Sequence, residues 1–154
     1  MPKSLSMIRE ATTNDIPSII DFQQKMAWET EHVKLDPLVL AMGIKNLFQD
    51  INKGKYYVAE ENGVVIGSLM TTYEWSEWRN GTVLWIQSVY IAEDHRGKGI
   101  YKKLYDHVQQ MVKNSSDLRG IRLYVDKTNK AAQQVYEKLG MNGEHYQVFE
   151  WMKS

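Results

Sequence analysis

The run Arg96-Gly97-Lys98-Gly99 combines two cations with two glycines at the predicted start of a helix. Glycine lets backbone N–H groups approach a ligand closely, and the first turn of a helix leaves such groups unpaired. The positive end of the helix dipole adds to the attraction for an anion. The spacing is typical of a phosphate-binding turn and equally of a plain strand-to-helix turn, and these four residues leave both open.

Two familiar phosphate-binding motifs do not fit this run. A mononucleotide-binding loop needs four residues between its first glycine and a Gly-Lys-Ser/Thr triplet, and the sequence has no such triplet. A dinucleotide-binding fingerprint needs a third glycine three residues after Gly99, where the chain has Lys102. A phosphate bound here must therefore belong to another class of ligand.

The hydrophobic pattern around the turn predicts a mixed α/β fold. The element order is β-α-α-β-β-β-α-β-α-β, with an antiparallel first half followed by β-α-β units. Asn62-Gly63 is the signal of a tight hairpin, and a second helix is predicted over residues 37–49. "TVLWIQSVYIA" is apolar on both faces, which indicates a central strand, and "EHYQVFEWM" alternates as a final strand.

Composition narrows the classes of partner. Acidic and basic residues balance at 19 each, so charge indicates neither nucleic acid nor an anionic membrane as a partner. The chain has no cysteine, and its histidines (32, 95, 107 and 145) lack metal-ligand spacing, so no metal is expected. The segment from residue 1 to 10 lacks the apolar core of a signal peptide. We therefore expect a cytoplasmic protein with one domain over residues 1–154.

Two motifs in this order resemble the GNAT superfamily of acetyl-CoA-dependent N-acetyltransferases. The first is "SVYIAEDHRGKGIYKKLYDHV", a hydrophobic strand followed by the Arg-Gly-x-Gly turn. The second is "NKAAQQVYEKLGM", whose matching residues are Asn129, Ala132, Tyr136, Gly140 and Met141. The resemblance extends from about residue 7 to residue 152. It implies a mixed, mostly antiparallel sheet of six to seven strands, splayed in the middle and flanked by about four helices.

The resemblance also implies where the coenzyme binds. Its pyrophosphate would meet the glycine turn, and its pantetheine arm would run along the splayed strand. The implied coenzyme-binding residues are Val89, Tyr90, Ile91, Arg96, Gly97, Lys98, Gly99, Ile100, Tyr101, Asn129 and Tyr136. Tyr101 departs from the family, which usually has a glycine or alanine there, so it either contacts the coenzyme or packs inward beside Tyr105.

Acetyl transfer to an amine needs a polarised thioester carbonyl, a stabilised leaving thiolate and a neutral amine. In the resembling family a main-chain N–H of the splayed strand polarises the carbonyl. Tyr136 maps to the general acid, and an unperturbed tyrosine pKa of about 10 keeps the phenol protonated. Because Tyr136 shares an apolar helix face with Ala132 and Leu139, simple packing is the alternative. Direct attack needs no covalent enzyme intermediate.

No family motif fixes the base that takes the amine's proton. Gln87 lies inside an apolar strand and needs a hydrogen-bond partner, so it could hold a water that relays the proton. Glu74 lies near the hairpin that often borders the acceptor pocket in the family, and a solvated surface carboxylate is its alternative reading. A base acting through water is the default.

The candidates for acceptor binding come from two segments. Trp28, Glu29 and His32 lie on the helix–helix connection, and Tyr73 and Trp75 lie near the hairpin. Aromatic rings beside carboxylates suit a cationic amine, so the predicted acceptor is a small, polyamine-like primary amine. Core or dimer packing is the alternative for each tryptophan. Acetylation of a protein or peptide, a non-catalytic CoA-binding sensor and a homodimer all stay open.

Overall fold

A computed structural model describes residues 6–154 of the chain. They form two compact units, the first ending at Leu123 and the second covering Tyr124–Ser154. Residues 1–5, which begin the segment behind the cytoplasmic prediction, lie outside the described residues. The single-domain organisation stays a prediction.

The first unit contains one five-stranded sheet and three helices, and the second contains one helix. The strands are β1 (Met7–Glu10), β2 (Lys55–Glu61), β3 (Val64–Ser76), β4 (Gly81–Ile91) and β5 (Leu118–Leu123). The helices are α1 (Ile16–Glu31), α2 (Pro37–Gln49), α3 (Ile100–Asn114) and α4 (Lys130–Lys138). The strands follow chain order, and only the β4–β5 pair is parallel. The predicted mixed α/β fold with four helices is confirmed.

The predicted strand count is wrong, since the sheet has five strands rather than six to seven. The segment predicted as the final strand, residues 144–152, is neither strand nor helix. Alternating apolar residues indicate only which side chains share a face. A strand also needs a neighbouring backbone to complete its hydrogen bonds, and this segment pairs with no strand among residues 6–154.

The predicted hairpin at Asn62-Gly63 is confirmed. These two residues alone connect β2 to β3, and both have positive φ angles, 52° and 78°. This is the geometry that a two-residue hairpin turn requires, because it matches the twist of the flanking strands. None of the helices described in residues 6–154 is long and apolar enough to cross a bilayer.

The helices of the first unit cover both faces of the sheet. Tyr56 and Tyr57, adjacent in β2, are both buried and point to opposite faces. The Tyr56 ring stacks on Phe48 of α2, with centroids 6.0 Å apart, and the Tyr57 ring lies 5.3 Å from that of His107 in α3. We call these the α1 face, which α1 and α2 share, and the α3 face.

A buried ion pair joins β1 to the start of α1. The Asp15 side chain is only 7% exposed and accepts two hydrogen bonds from Arg9, at 2.8 and 2.9 Å. The backbone N–H of Thr12 donates to the same carboxylate at 2.7 Å. The Arg9 hydrogen bonds hold the pKa of the Asp15 carboxyl below its usual value. This pair fixes where α1 begins on the sheet.

Replacing Asp15 tests how much the Arg9–Asp15 pair contributes to the free energy of unfolding. Asp15→Asn should lower the free energy of unfolding at pH 7 by about 2 kcal/mol, because two charge-assisted hydrogen bonds are lost. Because the pKa of Asp15 is lower in the folded than in the unfolded state, the Asp15 carboxylate stabilises the fold above the unfolded-state pKa of about 3.9. This stabilisation is lost as the pH falls through the folded-state pKa. The difference in the free energy of unfolding between the wild type and Asp15→Asn, measured by urea unfolding, should therefore shrink below about pH 4. A difference that stays constant down to pH 3 would contradict this, and Asp21→Asn, at an exposed pair with Lys25, is the control.

Candidate functional site

One edge of β4 is paired only over its first half. The parallel ladder with β5 ends at the pair Ile86 and Leu123, whereas β4 continues to Ile91. Beyond Ile86, no strand described in the first unit pairs with this edge of β4. The sheet therefore opens beside the second half of β4, where the backbone has no strand partner within the described part of the first unit.

The hydrogen bonds to β3 show which backbone groups face the opening. The N–H of Ala92, just after β4, donates to the carbonyl of Ile66 at 2.8 Å. Backbone groups in an extended strand point alternately to its two sides. Tyr90 therefore faces β3, and the backbone groups of Val89 and Ile91 face the open edge, where the Ile91 carbonyl accepts a hydrogen bond from Arg96. These are the two residues that the resemblance implies for the pantetheine arm.

A β-bulge at Ser88 separates the two halves of β4. Met70 pairs with Gln87 and Ser68 pairs with Tyr90, so β4 has one residue more than β3 between these pairs. Ser88 has a φ of 55°, a left-handed conformation that costs a non-glycine residue about 1–2 kcal/mol. Such strain and such bulges concentrate at functional sites. No pattern in the sequence predicted it.

The glycine turn presents unpaired backbone donors next to open space. Gly97 and Gly99 have φ angles of 77° and 78°, which other residues adopt with strain. The N–H groups of Gly97, Lys98 and Gly99 donate to no acceptor among residues 6–154. A Cβ at either glycine would meet nothing within 4 Å, and α3 begins at Ile100. This arrangement fits a phosphate group held by the turn and the helix dipole.

Arg96, the first residue of this turn, is held by three groups. Its Nε donates to the carbonyl of Ile91 at 2.9 Å, and its Nη2 donates to the Glu29 carboxylate at 2.7 Å. Its guanidinium carbon lies 5.1 Å from the centre of the Tyr90 ring. The Tyr90 hydroxyl donates to the other Glu29 oxygen at 2.5 Å. The sequence pattern did not reveal this cluster, because 67 residues separate Glu29 from Arg96.

The two titratable groups beside Arg96 have shifted pKa values. The hydrogen bond from Tyr90, followed by that from Arg96, lowers the pKa of Glu29. Burial, together with the neighbouring Glu29 carboxylate, raises the pKa of Tyr90 to about 12. The cluster is therefore a carboxylate, a neutral phenol and a guanidinium at neutral pH.

Tyr101 follows the turn in the first helical turn of α3. Its ring lies 6.4 Å from the ring of Tyr105, which is buried. The neighbour expected for inward packing is thus in place. A contact between Tyr101 and the coenzyme stays a prediction.

Glu74 connects three strands on the α1 face of the sheet. It accepts a hydrogen bond from Trp85 of β4 at 2.8 Å, and Arg122 of β5 reaches both of its oxygens, at 2.8 and 2.6 Å. Arg122, and after it Trp85, lowers the pKa of Glu74, and this makes Glu74 a weak base. Gln87 has the hydrogen-bond partner that its apolar strand requires. Its side-chain amide donates to the Thr72 hydroxyl at 2.8 Å.

Three of the acceptor candidates lie together at the end of α1. Trp28 and His32 make an edge-on ring contact with centroids 5.3 Å apart, and Glu29 lies in the same helical turn. His32 ends the helix with a φ of 54°. Within residues 6–154, no three His, Asp or Glu side chains are placed to hold a metal ion.

The other two acceptor candidates lie on the opposite face of the sheet. Leu69 of β3 pairs with Tyr57, whose ring contacts α3, so Leu69 lies on the α3 face. Tyr73 and Trp75 follow Leu69 at alternate positions of the same strand and share that face. The structure therefore separates them from Trp28, Glu29 and His32.

In the second unit, α4 has a well-defined cap at each end. The Asn129 side chain accepts a hydrogen bond from the N–H of Ala132 at 3.0 Å and so caps the start of α4. Gly140 has a φ of 87°, and the N–H of Met141 donates to the carbonyl of Tyr136 at 3.0 Å. This Schellman motif fixes Tyr136 in the last part of the helix.

Comparison with known proteins identifies the family. The Acetyltransferase (GNAT) family matches residues 18–141, so the chain belongs to this family, whose members use acetyl-CoA. No curated protein matches the sequence.

Solved structures with the same fold include three with informative descriptions. A possible acetyltransferase from Clostridium difficile is 41% identical, over 97% of this chain and 99% of that chain, with a TM-score of 0.90. An aminoglycoside N-acetyltransferase in complex with CoA is 17% identical, over 99% and 98% of the two chains, with a TM-score of 0.80. A ribosomal-protein-alanine N-acetyltransferase from Brucella melitensis is 16% identical, over 97% and 100%, with a TM-score of 0.78. The last two show the fold alone.

Replacing Glu74 separates a structural role from a catalytic one. Glu74→Gln should lower the free energy of unfolding by about 1 kcal/mol, because a half-exposed ion pair is lost. Turnover of the folded variant should fall less than about tenfold, since loss of a general base typically costs a hundredfold or more. Urea unfolding measures the free energy of unfolding, and the release of free CoA thiol from acetyl-CoA measures turnover. A loss of turnover above a hundredfold would restore Glu74 as the base, and Glu77→Gln in the adjacent exposed turn is the control.

Proposed function

We propose that this protein transfers the acetyl group of acetyl-CoA directly to the primary amine of a small, polyamine-like molecule in the cytoplasm. The observation that carries the proposal is the open edge of β4 leading into the glycine turn. Exposed backbone groups along a strand suit an extended arm with amide groups, and the unpaired N–H groups after it suit a pyrophosphate. Coenzyme A has this arm and this pyrophosphate in succession. Both units belong to one catalytic domain in this proposal.

The coenzyme supplies an activated acetyl group and a thiolate leaving group. The chain holds the pyrophosphate with the N–H groups of residues 97–100 and the positive end of α3. Val89 and Ile91 hydrogen-bond the pantetheine arm through their backbone groups. Asn129 contacts the same arm while it caps α4.

The chain's own residues then supply each proton and hydrogen bond of the transfer. The N–H of Val89, next to the bulge, donates to the carbonyl oxygen, where negative charge develops. The amine nitrogen bonds to the carbonyl carbon, the carbon–sulfur bond breaks, and Tyr136 gives its phenolic proton to the sulfur. A water bound to the Gln87 amide takes the proton that the amine loses.

The end of α1 supports a cationic acceptor. Trp28 is half exposed in the same helical turn as Glu29, and the face of an aromatic ring attracts an ammonium group. The reacting nitrogen must be neutral, so the charge recognised here is that of a second ammonium group. This is the reason for proposing an acceptor with more than one amine.

Tyr136→Phe tests the general acid. Turnover should fall about a hundredfold, because the leaving thiolate loses its proton donor, and the dissociation constant of acetyl-CoA should change less than about twofold. Thiol release across a panel of amines, aminoglycosides and peptides gives turnover, and calorimetry gives binding. Equal loss of both would make Tyr136 a packing residue. Tyr146→Phe, in the same unit, is the control, and a wild-type protein that releases no thiol with any acceptor would refute the proposed function.

Gly99→Ala tests the pyrophosphate site. A side chain at this positive φ strains the turn by about 1 kcal/mol and intrudes where the anion binds, so the dissociation constant of acetyl-CoA should rise at least about tenfold. Acetyl-pantetheine, which lacks the pyrophosphate, should bind as before. Unchanged affinity for acetyl-CoA would refute the placement. Gly43→Ala, inside α2 where a Cβ has open space, should leave binding unchanged and stabilise the helix.

A further inference from the structure

The Arg96 side chain joins two elements of the first unit, β4 and α1, where the chain leaves the sheet. Ile91, which accepts from Arg96, is the last residue of β4, and Glu29 lies in the last turn of α1. Tyr90 contacts both members of the Arg96–Glu29 pair, because its ring lies beneath the guanidinium and its hydroxyl donates to Glu29. Arg96 is therefore anchored to a strand end and to a helix end.

The rest of the turn has little to hold it in place. Between Arg96 and the start of α3 lie only Gly97, Lys98 and Gly99, whose N–H groups find no acceptor among residues 6–154. Glycine loses more conformational freedom on ordering than any other residue. The turn must be ordered by the segments at its two ends, and Arg96 is the anchored residue at the first of these.

Glu29 is paired with a cation from outside its own helix, although Lys25, one turn earlier in α1, also lowers its pKa. It lies at the negative end of the α1 dipole, where a carboxylate is unfavourable, and the last turn of α1 contains no basic residue. Arg96 supplies that cation through a charge-assisted hydrogen bond. The Tyr90 hydroxyl holds the second carboxylate oxygen, so the carboxylate is oriented from two sides.

We infer that Glu29 and Tyr90 are positioning residues for the coenzyme, which act through Arg96 to hold the glycine turn in its pyrophosphate-binding conformation. The inference rests on the proposed function, since it takes this turn as the coenzyme site. It assigns Glu29 a task in addition to the contact with the acceptor proposed above, and Tyr90 a task other than direct contact with the coenzyme. It also explains why an anionic side chain lies beside residues that bind an anion.

The direction in which Glu29→Gln changes the affinity for CoA distinguishes a positioning role of Glu29 from a purely electrostatic one. If Glu29 acted only through its charge, Glu29→Gln would tighten CoA binding, because a carboxylate repels a nearby pyrophosphate. If Glu29 positions the turn, the same substitution weakens CoA binding, because the turn must be ordered at the moment of binding. Charge repulsion and ordering of the turn thus predict opposite changes in CoA affinity.

The experiment measures the dissociation constants of CoA and of acetyl-pantetheine by calorimetry for the wild type, Glu29→Gln and Glu31→Gln. Glu31 lies in the same exposed helical turn and carries the same charge, so it is a matched control. We expect Glu29→Gln to raise the dissociation constant of CoA about tenfold, to leave that of acetyl-pantetheine unchanged, and Glu31→Gln to change neither by more than about twofold. Tyr90→Phe should weaken CoA binding less than Glu29→Gln does.

A double-mutant cycle tests whether Glu29 acts through Arg96. In the Arg96→Gln background, Glu29→Gln should have no further effect on CoA binding, because the link is already broken. Additive effects would overturn the inference. Tighter or unchanged CoA binding in Glu29→Gln would also overturn it, as would equal weakening of CoA and acetyl-pantetheine. Each of these leaves the proposed function standing, whereas a wild-type protein that binds no CoA would refute the proposed function itself.

Discussion

Among the strands described in residues 6–123, β4 is paired on both sides up to Ile86 and only with β3 beyond it. The first half is a central strand, and Glu74 fastens it by joining Trp85 and Arg122 across three strands. The second half is an edge within an otherwise continuous sheet, and exposed backbone groups on such an edge seek a partner. The bulge, the Arg96 cluster and the glycine turn all lie along or just beyond this second half. The chemistry proposed for the protein depends on that change from paired to open strand.

Most of the fold was predictable, because local patterns determine its elements. Asn62-Gly63 specified a hairpin through its φ angles, and Pro37 and Gln49 bound the second helix as predicted. The final strand was not predictable in this way. Alternation in residues 144–152 describes side chains, whereas a strand exists only when another backbone pairs with it.

The site was predictable where a backbone conformation determines it and less so where side chains meet across the fold. Gly97 and Gly99 indicated a turn with positive φ angles, and that local geometry accounts for the unpaired N–H groups on which the proposed anion site depends. Sequence alone did not reveal that Tyr73 lies on the face of the sheet opposite to Glu74, since neighbouring strand residues point to opposite faces. The partners of Glu29 could not be predicted at all, because a pairing over 67 residues leaves no local signal.

The bulge at Ser88 has a consequence for how this chain can vary in evolution. One extra residue between Gln87 and Tyr90 is absorbed there, and the pairing of β4 with β3 continues in register on either side. A related sequence can therefore lose one residue at this point and keep Tyr90 and Ile91 where they are. A deletion between Ile91 and Arg96 has no such place of absorption and would move the guanidinium away from Glu29. In an alignment of relatives, gaps near the site should fall next to Ser88 and nowhere else along the second half of β4.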